Sequence, residues 1–381
     1  MKKLLFILLL VSFFPKVSAQ ELIPNSRSGI LIEANSGKII YEKDKDQEYS
    51  IASMTKMVAQ IIILEEIEKG TIKWSDVVTV SSNASGMGGS QIYLEVGEKI
   101  SVEDLMKGIS VASGNDATVA MAEYISGTEE KFVERMNQKV KELGLKHTHF
   151  VNSTGLDEEN HYSSSYDMAM IARDLVINHP DILRFSSIYE DYLRENTSRK
   201  FWLVNTNKLL RQYDGVDGLK TGHTDDALYC LATTAKRNQL RLIGIVLGEK
   251  DSKVRNQEMM ELLDYGFSNV KLKTLKKKGE VIQTIPLSKT NKKDISLLLK
   301  DDLTVLEDID DKNVKYEYQV NVSNFQYPIK KNDEIGTIIV SSSHKEISRG
   351  VLVANQDVDK LKFYELFINH LKKIVFGNYL M

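Results

Sequence analysis

Ser53-Met54-Thr55-Lys56-Met57-Val58-Ala59-Gln60-Ile61-Ile62-Ile63-Leu64 carries both a fold signal and a chemical one. The pattern predicts a helix over 53–68. Its middle, 57–64, is apolar nearly all round, so the helix belongs inside a core. At its start Ser53 and Lys56 stand three residues apart, which puts both side chains on one face. A serine hydroxyl is a poor nucleophile at neutral pH and needs an adjacent base. A lysine desolvated among Met57, Val58, Ile61 and Ile62 gives up its charge more readily and can be that base. A helix start also aims free N–H groups outward, which makes the Ser53 N–H a candidate oxyanion donor. Spacing alone leaves open a plain helix cap for Ser53, a place Ser50 also suits, and a surface lysine for Lys56.

Outward from this helix the pattern alternates in kind. Short apolar strands precede it at 29–33 and 38–41, joined by the turn Asn35-Ser36-Gly37. Apolar helices follow at 102–112 and 117–125. Ser113-Gly114-Asn115 breaks the chain between them, either as an ordinary turn or as a loop projecting a hydroxyl and an amide into a cleft. In the second case Ser113 passes a proton between Lys56 and a leaving amine, and Asn115 bonds the substrate backbone. Amphipathic helices are expected at 130–143, ending at Gly144, and at 168–177, stopped before Pro180.

The stretch Asp217-Gly218-Leu219-Lys220-Thr221-Gly222-His223-Thr224 enters a strand. Gly222 there admits another backbone at close range, which suits a peptide added along the sheet edge. Lys220 and Thr221 can meet a negative group on such a peptide. The His223 N–H is the second candidate oxyanion donor, with no role for its ring. Strands at 229–235 and 240–247 and a helix at 257–266 complete an α+β pattern, an antiparallel sheet flanked by helices. Past residue 269 helices vanish, and short alternating runs at 281–285, 316–322 and 335–340 read as a small all-β domain.

A chain of 381 residues agrees with two domains. The net charge of -3 argues against a nucleic-acid partner. Lys2 and Lys3, the apolar run 4–14 and Val17-Ser18-Ala19 read as an export signal cleaved before Gln20, with an uncleaved anchor as the alternative. Cys230 is the only cysteine, flanked by apolar residues as a core thiol would be. His147 and His149 lack a third partner for a metal. Leu361, Tyr364, Phe367, Ile368, Leu371, Ile374 and Val375 recur at helical spacing opposite lysines. That pattern fits a helix in the membrane interface, or one packed on the β-domain.

Taken in order, Ser53-Met54-Thr55-Lys56, Ser113-Gly114-Asn115 and Lys220-Thr221-Gly222 resemble the motif set of penicillin-binding proteins and class A β-lactamases. The middle element reads Ser-Gly-Asn rather than Ser-Asp-Asn. The runs 113–117, 145–156, 162–164 and 214–224 are similar to low-molecular-mass serine D-alanyl-D-alanine carboxypeptidases, the peptidase S11 family. That resemblance implies a β-lactamase/transpeptidase-like domain over 20–268 behind a signal peptide at 1–19. A β-rich domain at 269–353 and a membrane-anchoring helix at 354–381 would follow. It implies attack by Ser53 on the bond between two D-alanines of a peptidoglycan stem peptide, at the outer face of the cell membrane. It also implies penicillins as acylating inhibitors, Arg255 as a holder of the substrate carboxylate, and no metal or organic cofactor. Leu228 stands where such enzymes often carry glycine. Glu158 and Glu159 lie in the wrong surroundings to be a class A deacylating glutamate. A β-lactamase or esterase of the same fold, or a wall-binding protein on a retired fold, are the competing readings.

Overall fold

A computed structural model describes residues 21–311 and 314–376, so the expected export signal at 1–19 lies outside the described residues. The larger domain is built on an antiparallel five-stranded sheet. Its spatial order is Ile39–Lys43, Ser28–Glu33, Leu240–Glu249, Leu228–Arg237, Val216–Thr224. The strand Ser28–Glu33 is buried along its whole length, which requires cover on both faces. Side chains alternate along it. Ile30 and Ile32 join a cluster containing the helix Lys56–Glu68, whereas Leu31 joins Met259, Leu262 and Leu263 of the helix Ser252–Asn269.

The helix Lys56–Glu68 is buried at Met57, Val58, Ala59, Ile61, Ile62, Ile63 and Leu64, as its uniform apolarity requires. It packs among Val102–Val111, Asn115–Ser126, Glu129–Glu142 and Ser165–Ile177. Truncating a fully enclosed residue such as Ile62 to Ala would cost roughly 2–5 kcal/mol. Gly144 follows Glu129–Glu142 at φ +69°, the left-handed stop that glycine favours.

Two short ribbons escape the sequence pattern. They are Val77–Thr79 with Lys99–Ser101, and Glu190–Leu193 with Phe201–Val204. Strands of three or four residues with mixed polarity carry no readable period.

The helix Ser252–Asn269 runs directly into Val270–Lys276, which pairs with Leu303–Asp308. Beyond it a second five-stranded sheet has the order Val281–Pro286, Asp294–Leu299, Lys345–Ala354, Glu334–Ser342, Glu317–Val322. Its separate core includes Ile295, Leu297, Leu299, Ile338, Val340 and Leu352. Residues beyond the last strand still belong to this domain. Asn355 accepts from the Ser296 N–H at 3.0 Å, and Val358 is buried and bridged to Ile329. The helix Phe363–Phe376 comes last. No helix among the described residues is long and apolar enough to cross a membrane.

Candidate active site

A tight 3-10 turn, Ala52–Thr55, leads into the helix Lys56–Glu68. Ser53 is therefore the second residue of that turn, not the first of the α-helix. The turn's first hydrogen bond is Met54 N–H to Ile51 O, at 3.2 Å. Ser53 N–H precedes that bond and has no acceptor within the turn.

Lys56 is fully buried. Its Nζ lies 2.9 Å from Ser53 Oγ, 2.6 Å from Asn115 Oδ1 and 2.6 Å from the Thr154 carbonyl. It has no carboxylate partner among the described residues. Burial holds its pKa well below the ordinary lysine value. The nearby Lys220 adds to that depression, and Asp116 opposes it.

Asn115 is the first residue of its helix rather than part of a free loop. Its Oδ1 takes Lys56, and its Nδ2 donates to the Gly88 carbonyl at 2.7 Å. Asn115 thus orients the lysine, and its amide is tied to protein at both ends.

Ser113 sits just before that helix in the left-handed region, at φ +63°. Lys220 Nζ donates to Ser113 Oγ at 2.8 Å and to the Thr221 carbonyl at 3.0 Å. The partner of Ser113 is thus Lys220, where the sequence suggested Lys56. Burial, helped by Arg255, brings the Lys220 pKa down to about 7. Thr221 Oγ1 donates to Thr206 Oγ1 at 2.7 Å.

Gly222 admits another backbone at close range, as its strand position suggested, and that backbone is within the protein itself. A Cβ there would lie 2.5 Å from Ile51 O and 3.4 Å from Ser53 N. The close neighbour is the protein's own turn at Ile51–Ser53. The same contact sets the Gly222–His223 backbone beside the Ser53 N–H. The exposed His223 ring stacks against Tyr229, with centroids 4.1 Å apart.

Arg255 is 4% exposed and makes no ion pair among the described residues. Its Nη1 donates to Cys230 O at 3.2 Å, and Nε and Nη2 donate to Asn256 Oδ1. Burial lowers its pKa to about 10. Ser53, Ser113, Thr221, His223, Lys208 and Arg255 line one cleft of about 340 Å³. Lys208 and Arg255 are among its lining residues and no carboxylate is, which leaves it electropositive, suited to an anionic group.

Several contributors were missed from sequence. The Thr154 carbonyl is held by a turn in which Asn152 Oδ1 accepts from the backbone N–H groups of Thr154 and Gly155. Gly155, at φ +83°, packs against the Ala52–Thr55 turn so closely that a Cβ would lie 1.9 Å from Ala52 O. The readable signal was Asn-Ser-Thr-Gly, an Asx-turn sequence. His161 is also buried behind the turn. Its Nδ1 accepts from Val151 N–H at 3.1 Å, so Nε2 carries the proton and donates to Thr55 Oγ1 at 2.8 Å. Burial lowers its pKa to about 4. It is neutral at ordinary pH with both nitrogens occupied, and so is no competing base.

Glu158 and Glu159 are exposed and do not line the cleft. Leu228 has φ +56°. This left-handed geometry explains why glycine suits that position, and here leucine adopts it under strain.

Residues 16–251 match the D-alanyl-D-alanine carboxypeptidase family, and residues 271–360 match the penicillin-binding protein 5 C-terminal domain. The chain is 44% identical to the D-alanyl-D-alanine carboxypeptidase DacF of Bacillus subtilis, over 95% of this chain and 96% of that one. It is similar in structure to penicillin-binding protein 5 of Haemophilus influenzae, with TM-score 0.72 and 33% identity, over 88% of this chain and 98% of that one. Penicillin-binding protein D2 of Listeria monocytogenes, in its ampicillin-bound form, matches 64% of this chain and 98% of its own, with TM-score 0.58 and 28% identity.

Proposed function

The chain belongs to the D-alanyl-D-alanine carboxypeptidase family, and from that premise we propose that Ser53 is its nucleophile and Lys56 the base. The protein is a D-alanyl-D-alanine carboxypeptidase acting on peptidoglycan stem peptides. The observation that carries the assignment of roles is the environment of Lys56 Nζ. A neutral amine has two protons and one lone pair. Asn115 Oδ1 and the Thr154 carbonyl, both at 2.6 Å, take the two protons, and the lone pair faces the Ser53 hydroxyl at 2.9 Å.

Ser53 Oγ attacks the carbonyl of the penultimate D-alanine as Lys56 takes its proton. The N–H groups of Ser53 and His223 receive the developing oxyanion. The C–N bond breaks, and the departing amine takes a proton from Ser113 Oγ, which draws on the Lys220 ammonium behind it. Lys220, Thr221 and Arg255 hold the terminal carboxylate. Water then attacks the acyl-enzyme and gives its proton back through Ser113 to Lys220. Lys56 returns its own proton to Ser53, and the resting state is restored. No acid outside this set is required.

Penicillins would acylate Ser53 by the same attack. The test is intact mass after mixing with benzylpenicillin. A single long-lived adduct lost in Ser53→Ala is expected. Rapid penicillin consumption without an adduct would favour a β-lactamase, and neither adduct nor consumption would favour a retired site.

The protein is proposed to be exported and to rest on the membrane through its last helix. Phe363, Tyr364, Phe367, Ile368, Leu371 and Ile374 are all exposed there, a surface suited to the lipid interface. A truncation that spares the β-domain starts at Phe363, and it should abolish sedimentation with anionic vesicles. Undiminished binding would remove the helix from the account.

A further inference from the structure

Two chain segments leave the catalytic cleft and meet again outside it. Ser90 and Thr206 both line the cleft. Downstream of Ser90 the chain reaches Tyr93, and upstream of Thr206 it reaches Phe201. These two rings meet edge to face, with centroids 5.4 Å apart. They border a shallow depression of about 400 Å³ with Gln91, Arg199 and Lys200, a size within the range of small-ligand sites.

Tyr93 is 63% exposed although its backbone is pinned. Arg199 Nη2 donates to its carbonyl at 2.9 Å, and Arg194 Nη1 donates to the Ile92 carbonyl at 3.0 Å. Its φ of +56° is unfavourable for a tyrosine. A large ring is thus held in water by a rigid, strained support, an arrangement core packing does not explain.

The charges around it are already neutralised. Arg194 pairs with Glu98, Arg199 with Glu95 and Glu98, and Lys200 with Glu195. The depression therefore suits an uncharged ligand with an apolar face and many hydroxyls. A hexosamine has that chemistry, because its ring C–H face lies on an aromatic plane while its hydroxyl and acetamido groups reach fixed charges.

Length agrees as well. Tyr93 is three residues past Ser90, at most about 10 Å along an extended backbone. In a stem peptide three residues lie between the acylated D-alanine and the amino sugar, so about four backbone steps, roughly 13 Å at about 3.3 Å each, are available to span from the cleft to Tyr93.

We propose that the Tyr93–Phe201 depression is a glycan subsite, which binds the amino-sugar end of the substrate while the stem peptide lies in the catalytic cleft. This rests on the carboxypeptidase reading above and extends it to the sugar.

The test compares kcat/KM for D-alanine release from two substrates with the same pentapeptide, one free and one carrying its N-acetylated disaccharide. Wild type should favour the disaccharide form. Tyr93→Ala should lose about tenfold on that form and no more than about twofold on the free peptide. Tyr93→Phe should keep the preference, and benzylpenicillin acylation should be unchanged in both variants. A wild-type protein indifferent to the sugar would overturn the proposal. So would a Tyr93→Ala loss equal on both substrates together with slower acylation, because that is damage to the cleft. A wild-type protein that neither released D-alanine nor took up penicillin would instead sink the catalytic reading, and the subsite with it.

Discussion

Charge is handled in opposite ways in the two domains. At the catalytic site Lys56, Lys220 and Arg255 are buried, and among the described residues none forms an ion pair with a carboxylate. In the β-domain Lys300 meets Glu334 and Arg349 meets Glu346, both pairs in solvent. Burial without a partner pushes lysine pKa values down and makes a base. Pairing in water pushes the Lys300 pKa up and that of Glu346 down, and leaves inert ions. The same residue type is reagent or solubiliser according to its surroundings, and only the first arrangement costs stability.

The largest effect should come from Lys56. Lys56→Met removes the proposed base and should slow acylation by benzylpenicillin about 10²–10⁴-fold, measured by quenched-flow mass spectrometry. A loss under tenfold would mean another group takes the Ser53 proton.

Next is Lys220. In the proposed mechanism its cation is needed in the free enzyme, and burial brings its pKa down to about 7, so kcat/KM should fall on the alkaline side of that value. A profile flat from pH 6 to about 9 would refute the role.

Stability should move the other way. Lys220 binds its proton less readily folded than unfolded, so its unfavourable contribution is full below about 7 and fades as pH rises toward 10.5. Lys220→Met should therefore raise stability at pH 6 by about 1–3 kcal/mol while abolishing turnover. Destabilisation in a denaturant melt would show that the hydrogen bonds of Lys220 outweigh its desolvation.

The smallest effect is expected in the β-domain. Lys300→Ala should leave both the thermal midpoint and the acylation rate where they were. A clear drop would erase the contrast between the domains.

The reach of the sequence follows the same division between period and surroundings. The buried helix after Ser53, the Leu228–Arg237 and Leu240–Glu249 hairpin and the change of texture near residue 269 were legible because periodicity and turn residues encode them. The three motifs were legible as spacing and order. What Lys56 and Lys220 touch was not. Asn115 closing on Lys56, Lys220 reaching Ser113, and the Thr154 carbonyl arriving from a distant turn are contacts across 98 or more residues for the last two, and 59 for the first. No local pattern carries such pairings. The identity of the close neighbour of Gly222 was likewise hidden, because the backbone that approaches it belongs to residues 51–53.

Gly155 and Gly222 hold the Ser53 turn between two backbones, where any added carbon collides. On the proposed mechanism, a lineage under selection by acylating drugs therefore has no small graded displacements of Ser53 available to it. Escape has to begin elsewhere, at the cleft mouth or in the turnover of the adduct. An inhibitor whose grip depends only on the backbone around Ser53 would leave fewer single-step routes to resistance than one that leans on side chains at the rim.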